Sequence, residues 1–291
     1  MEYYSGKVVL ITGASSGLGL AMVKLLFQVD GCKIIASSRS PSKLRSILNS
    51  WNGAVETCKC ILLDLESDDK EIAAQVTNAF SFYDRVDVLI NCAGMGFRGR
   101  IHETLADVDR RMMQVDYFGQ ITVIKSVLAV WQSRNTRHGD IIQISSVQGF
   151  FGLGERAPYS AAKHALTGFI DSLRVEHDRF PDPSPFKIIH VCPGHIATNH
   201  SLNSIRGDGS TYDAQDETTL LGYSPDYVAK RCLERASKGE REIVIADFKI
   251  RILIFIRYIA PTLCFRLLRN RFLVKKESLV KTILKWVIGL A

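Results

Sequence analysis

The chain has 291 residues, of which 46% are hydrophobic and 23% charged, a size and balance that support one sizeable core plus an appendage and exclude disorder. Its net charge of +7 is unevenly placed: from Lys249 onward ten basic residues face the single acid Glu277, a net of +9, so everything before them stands at −2. The bulk of the chain therefore lacks the charge signature of a nucleic-acid binder, and no nucleic-acid partner is expected. The seven cysteines form no Cys-x-x-Cys pair, and Cys58-Lys59-Cys60 is too tight for an ordinary bridge, so they read as thiols of a reducing compartment. Met1-Glu2-Tyr3-Tyr4-Ser5-Gly6-Lys7 has neither the basic nor the apolar region of a secretory signal, and an intracellular protein is expected.

Short apolar runs alternate with helix-like stretches, the pattern of βαβ units around a parallel sheet. Val8–Ile11 reads as the first strand, followed by a glycine-rich turn and a helix over residues 20–29. Residues 33–36, 60–63 and 86–90 read as the next strands, residues 110–131 as a long helix, and residues 140–144, 188–192 and 242–246 as the last strands. Runs that are apolar throughout, rather than alternating, suit a sheet covered by helices on both faces. Pro181, Pro183 and Pro185 mark the turn before the 188–192 strand. The polar stretch 199–222 reads as a mobile loop, a lid over a site. The expected organisation is an α/β domain over residues 1–247 and a basic, apolar helical extension over residues 248–291.

Thr12-Gly13-Ala14-Ser15-Ser16-Gly17-Leu18-Gly19 closes the first strand and opens the first helix. Glycines allow a tight turn and close backbone approach to a pyrophosphate, while the helix N-terminus offers N–H donors. Alone such a turn is weak evidence. The second strand ends Ala36-Ser37-Ser38-Arg39, without the acid that would bind the ribose hydroxyls of NAD. Arg39 and Ser38 are suited to a 2′-phosphate through charge-assisted hydrogen bonds, so NADP(H) is expected, the alternative for Arg39 being a plain surface arginine.

Asn91-Cys92-Ala93-Gly94 ends the fourth strand and Ser145-Ser146 the fifth. Tyr159-Ser160-Ala161-Ala162-Lys163 opens a helix, and Pro193-Gly194 ends the sixth strand with Thr198 shortly after. In this order, with the glycine turn, the motifs resemble the short-chain dehydrogenase/reductase family over roughly residues 5–247. The resemblance implies a Rossmann-type doubly wound parallel sheet flanked by helices. It implies that Gly13, Ser15, Ser16, Gly17, Leu18 and Gly19 surround the pyrophosphate and that Asp64 and Leu65 lie beside the adenine. It further implies Asn91, Ala93 and Gly94 beside the ribose, and Pro193, Gly194, Ile196 and Thr198 over the nicotinamide carboxamide.

The chemistry also follows from the residues themselves. Tyr159 and Lys163 are four apart and share a helix face. A free tyrosine has a pKa of about 10, and a neighbouring ammonium lowers it by stabilising phenolate, which makes Tyr159 a proton donor to a carbonyl oxygen. Ser146 holds the same substrate oxygen as charge develops on it. Hydride comes from the cofactor. Phe150, Phe151 and Leu153 line a greasy substrate pocket or are core. No metal site is expected.

One position departs from the family pattern. Members usually have asparagine in the fourth helix, where a kink lets the backbone help position a water beside the lysine; here the residue is Asp116. A tolerated near-isostere is the favoured reading, with a raised Lys163 pKa and a weaker hold on Tyr159 as the alternative. Residues 97–101, 107–111, 208–212 and 243–247 resemble a narrower branch, the dehydrogenase/reductase member 7 proteins and particularly their B-type. That branch implies a membrane-associated reductase of lipophilic carbonyl compounds on the cytosolic face of the endoplasmic reticulum or another organelle membrane. Its members usually have a hydrophobic N-terminal anchor, which is not seen in this sequence.

Two readings of the extension stand. Residues 250–260 are apolar apart from two arginines, and Leu279, Ile283, Trp286 and Leu290 recur at helical spacing with Lys281 and Lys285 on another face. Such helices lie in a membrane interface, and no apolar run reaches the roughly 20 residues of a span. The alternative is a helix packed on the core or on a second copy in a homo-oligomer. The rival function is a non-catalytic NADP(H)-binding sensor or scaffold attached to membrane by the extension; it predicts loss of the serine, tyrosine or lysine, and all three are present.

Overall fold

The computed structural model describes residues 1–136, 138–178 and 186–273. Among them the strands are β1 (Val8–Ile11), β2 (Lys33–Ser38), β3 (Cys58–Leu62), β4 (Val88–Asn91), β5 (Phe97–Arg98), β6 (Gly139–Ile144), β7 (Phe186–Pro193), β8 (Ile205–Arg206) and β9 (Glu242–Ile245). Seven of them form one parallel sheet in the order β3-β2-β1-β4-β6-β7-β9, while β5 and β8 pair with each other. The chain builds outward from β1 to β3 and then returns to add β4 on the other side. The order reverses at β1 and opens a crevice at the carboxyl ends of β1 and β4, where ligands bind in open α/β sheets.

The helices are α1 (Gly17–Phe27), α2 (Pro41–Asn49), α3 (Ala54–Thr57), α4 (Asp69–Ala79), α5 (Ala106–Met113), α6 (Gly119–Ser133), α7 (Ala157–Asp178), α8 (Glu217–Leu220), α9 (Pro225–Ser237), α10 (Phe248–Ile259) and α11 (Pro261–Leu273). Residues of α1, α2 and α9 cover one face of the sheet, and residues of α4 to α7 cover the other. Successive residues of β1 serve both layers: Val9 and Ile11 pack toward α1, Val8 and Leu10 toward α6. That double burial is why the strand reads as a continuous apolar run. Helix starts carry local signals, with Asp68 accepting from the Glu71 N–H at 2.8 Å before α4 and Ser224 accepting from Tyr227 before Pro225 in α9.

The stretch expected as one helix over 110–131 is interrupted. Gln114–Phe118 forms a π-helical turn between α5 and α6, which puts Asp116 on a bulge, a device that recurs at functional sites. The polar stretch 199–222 is also more fixed than its composition suggests. It contributes β8, which pairs with β5, and Arg98 of β5 forms an ion pair with Asp216.

Beyond β9 the chain turns back on itself. Leu253, Ile256, Leu263, Leu267 and Leu268 of α10 and α11 form a third apolar cluster with Val147, Phe150 and Phe151. Phe150 and Phe151 are therefore core residues and not pocket wall. No helix among the described residues is long and apolar enough to cross a membrane. The turn at Pro181, Pro183 and Pro185 and the periodic residues Leu279, Ile283, Trp286 and Leu290 lie outside the described residues.

Candidate active site

A cleft of about 1180 Å³ runs along the carboxyl ends of the strands. It exceeds the ~300–1,000 Å³ usual for one small ligand and leaves room for a dinucleotide and a substrate together. Gly13, Ser15, Ser16, Gly17, Leu18 and Gly19 line one part of it. Gly13 has φ +68°, and a Cβ there would lie 2.7 Å from the Ala93 Cα, so only glycine lets the phosphate turn pass the end of β4. Thr12 ties the two together: its hydroxyl donates to Asn91 Oδ1 at 2.9 Å and accepts from the N–H groups of Cys92 and Ala93 at 2.9 and 3.0 Å.

Ala93 and Gly94 border the cleft. Asn91, expected beside the ribose, is wholly buried behind it. Its amide donates to the Gln120 carbonyl at 3.1 Å and to Gln143 Oε1 at 2.9 Å. Asn91 thus holds the turns in place from behind the cleft, its side-chain hydrogen bonds made within the protein.

Asp64, Leu65, Ser38 and Arg39 sit together at the end expected for the adenosine. The Ser38 hydroxyl is buried without a hydrogen-bond partner, and buried polar groups in native proteins are rarely left so. Arg39 is exposed and pairs with Glu66 at 3.0 Å; Glu66 is also held by Arg111 at 2.9 Å. Hydrogen bonding from Arg111, opposed by burial and reinforced by Arg39, holds the Glu66 carboxyl below its ordinary range. Lys43, on α2, lines the same corner; it lies a helical turn beyond Arg39, where only the fold brings it back to the cleft. An unsatisfied serine hydroxyl beside two cations fits a 2′-phosphate.

At the other end Ser146, Tyr159, Lys163 and Asp116 converge on the cleft. Ser146 follows β6, and its Oγ accepts from the Gln148 N–H at 3.1 Å, which leaves its proton to be donated to the Tyr159 hydroxyl. Tyr159 and Lys163 lie on one face of α7, with the ammonium 5.4 Å from the phenol ring centroid. The Lys163 Nζ donates to Asp116 Oδ1 at 3.4 Å, which also accepts from the Met95 N–H at 3.1 Å. Asp116 Oδ2 has no partner. A Cβ on Gly94 would lie 2.7 Å from Asp116 Oδ1, so the glycine gives the carboxylate its space.

The electrostatics differ from expectation at Tyr159. Burial pushes its pKa above the ordinary value; Lys163 and a hydrogen bond from Ser146 pull it down, and the Asp116 carboxylate pushes it up. Considered by itself Lys163 acts as expected, but desolvation and Asp116 outweigh it. Burial also raises Asp116. Desolvation lowers Lys163, yet Asp116 and Tyr159 more than restore it, and the ammonium is held above its ordinary range.

The match to known proteins is decisive here: the profile of the short chain dehydrogenases covers residues 7–207. The chain belongs to the short chain dehydrogenase family. It is 38% identical over 280 residues to a dehydrogenase/reductase SDR family protein 7-like of Drosophila melanogaster, covering 95% of this chain and 83% of that protein. It is 35% identical to dehydrogenase/reductase SDR family member 7B of Mus musculus, covering 95% and 84%. Among solved structures, a short-chain dehydrogenase from Streptomyces avermitilis superimposes with TM-score 0.72 at 22% identity, over 92% of this chain and 97% of that one. A short chain dehydrogenase from Burkholderia cenocepacia in complex with NADP superimposes with TM-score 0.70 at 21% identity, over 90% and 96%. These two carry the fold alone.

Apart from the segment at the end of β7, the remaining cleft wall in this short chain dehydrogenase was not legible in the sequence. Pro193, Gly194, Ile196 and Thr198 line it after β7. Beyond Tyr159 the wall is polar. Arg98 Nε and Arg156 Nη2 donate to one oxygen of Asp216, at 2.7 and 3.3 Å. Both arginines are largely buried, with 12% and 17% of their side chains exposed. Burial and the neighbouring Arg98 push Arg156 down to about 10. His200, its ring 6.1 Å from that of Tyr159, opens onto the cleft; the protein around it and the Arg98, Lys163 and Arg156 cations keep it neutral, pushed down to about 4. No single motif joins residues 98, 156, 200 and 216. Among the described residues no cluster of His, Cys, Asp or Glu is arranged to hold a metal.

Proposed function

We propose that this chain is an NADP(H)-dependent oxidoreductase that interconverts a carbonyl and an alcohol. The observation that carries the reading is the convergence of Ser146, Tyr159 and Lys163 on the cleft whose other end is the glycine turn. The cofactor supplies or accepts the hydride. Ser146 holds the carbonyl oxygen, Tyr159 delivers the proton to it, and Lys163 stabilises the phenolate left behind. The carboxylate of Asp116 fixes the ammonium. The unpartnered Ser38 hydroxyl with Arg39 and Lys43 supports NADP(H) over NAD(H).

The substrate is an amphiphile on this reading. Met95, Val115, Leu153 and Ile205 offer apolar contacts. Arg98 and Arg156, which share the Asp216 carboxylate, bring guanidinium donors that suit an anionic or strongly accepting group. The reading includes a place on the cytosolic face of the endoplasmic reticulum or another organelle membrane. The rival, a non-catalytic NADP(H)-binding sensor, gains no support from a site with all three catalytic side chains in place.

The test is cofactor oxidation with a panel of amphiphilic ketones. Tyr159→Phe abolishes turnover while retaining cofactor binding by fluorescence. Arg39→Ala raises the KM for NADPH roughly tenfold, about one charge-assisted hydrogen bond, and leaves the NADH value within about twofold. Equal turnover in Tyr159→Phe, or binding without turnover by the wild type across the panel, defeats the reading.

A further inference from the structure

The inner sides of α10 and α11 complete the third apolar cluster. Their outer sides are not polar, as the surface of a core-packed helix would be. Phe248, Phe255, Tyr258, Ile259 and Phe265 are between 51% and 76% exposed. On α10 the spacing of residues 248, 255, 258 and 259 places four of them along one stripe opposite Leu253 and Ile256. The Arg257 guanidinium, on another side of α10, lies 5.1 Å from the Phe265 ring centroid of α11.

The charge on this surface has one sign. Lys249, Arg251, Arg257, Arg266 and Arg269 fall within residues 248–273, which contain no acid. We propose that the outer side of the α10–α11 pair docks on the surface of an anionic lipid bilayer, with its aromatic side chains in the interface and its cations on the head groups. Aromatic and aliphatic side chains interleaved with arginines are what such an interface takes up. Neither helix is long enough to span: 12 and 13 residues rise about 18–20 Å, so the pair lies in the plane of the surface.

The charge also decides among other occupants. A second copy would oppose one acid-free basic face with another. Residues 274–291 of the chain itself bring Lys275, Lys276, Lys281 and Lys285 against Glu277 alone, and basic chain is poorly suited to cover a basic surface. An anionic surface with an apolar interior is complementary on both counts.

Docking would orient the cleft. Ile250, on the inner side of α10, approaches Gly194, where its Cδ1 would lie 3.5 Å from an added Cβ, so the helix that carries the docked face on its other side adjoins the Pro193-Gly194 wall. A bilayer-dissolved amphiphile is then delivered to that end of the cleft, a consequence that rests on the oxidoreductase reading. Docking itself does not rest on it.

The experiment is sedimentation of the full chain with vesicles of phosphatidylcholine alone or with phosphatidylserine added, at low and high salt. Binding is expected to the anionic vesicles only and to weaken with salt. The double variant Arg251→Gln/Arg266→Gln lowers the partition coefficient about 25-fold, at about fivefold per cation. Phe248→Ser/Phe255→Ser removes binding that survives high salt. Both variants keep wild-type circular dichroism and cofactor binding, neither of which requires turnover. Equal binding to neutral vesicles, binding indifferent to both variants, no vesicle binding, or a dimer that the Phe248→Ser/Phe255→Ser variant dissociates would each overturn the proposal.

Discussion

Replacing Asp116 by asparagine removes one buried charge and almost no volume. The attraction lost between Asp116 and Lys163 at 3.4 Å is about 5 kcal/mol at an effective dielectric of about 20. Against it stands relief of a wholly buried carboxylate whose Oδ2 has no partner, about 3 kcal/mol or more. The amide oxygen keeps the Met95 N–H. The balance is a destabilisation of about 1–2 kcal/mol, which in a chain of this size lowers Tm by about 2–3 °C. Turnover at neutral pH stays within a few-fold, because the donors to the substrate oxygen, Tyr159 and Ser146, are untouched.

The pH dependence is the sharper readout. Tyr159 donates only when protonated, so carbonyl reduction declines as pH rises through its pKa, while alcohol oxidation rises over the same range. Burial, and with it the Asp116 carboxylate, hold that pKa above the ordinary value, against Lys163, Ser146 and the more distant Arg98. Asp116→Asn withdraws the carboxylate's contribution, so the alkaline limb of reduction and the rise of oxidation both move to lower pH. The assay is kcat in both directions from about pH 7 to about pH 11, with thermal unfolding in parallel. A limb that stays in place separates Asp116 from Tyr159. A limb that moves upward means Lys163 has lost its charge, and a higher Tm means burial outweighed attraction; either refutes the reasoning.

His190 is wholly buried, and desolvation, then Arg174 and Lys163, push it from 6.5 down to about 3. The unfolded chain binds a proton in that window that the folded chain does not, so stability is lost as pH falls below about 6.5, by about 1.4 kcal/mol per unit. A neutral His190→Gln variant flattens the acid limb of Tm against pH; an unchanged slope would remove His190 from the explanation. Trp131 stacks on Phe186 at 5.1 Å and donates to the Val86 carbonyl at 2.7 Å; Trp131→Ala costs about 3–5 kcal/mol in chemical denaturation, and a loss below about 1 kcal/mol would contradict that packing. Gly13→Ala forces a Cβ to 2.7 Å from the Ala93 Cα and is expected to weaken cofactor binding by at least tenfold, equivalent to about 1.4 kcal/mol, in a fluorescence titration; unchanged affinity would show that the two turns can separate freely.

Much of the site was legible because the chemistry is local. The turn from Gly13 to Gly19 is built within one β-α junction, and Tyr159 and Lys163 share a helix face whatever surrounds them. Residues 199–222 read as a mobile loop over the site because polarity says nothing about long-range pairing. Arg98 and Asp216, separated by more than half of the family's matched span, meet only once β5 and β8 pair. The position of Asn91 behind the cleft is likewise set by long-range contacts: its partners Thr12, Gln120 and Gln143 are all distant in the chain.

The sequence by itself determined the order of the strands' motifs, the dinucleotide turn and the tyrosine–lysine pair, since each depends on spacing along a single element. Tertiary structure decided the state of that pair. It surrounds Tyr159 with protein, sets a carboxylate on a π-helical bulge against Lys163, and brings two arginines to the far wall. Burial and through-space charge depend on which elements meet, and those neighbours exist only when the sheet is assembled.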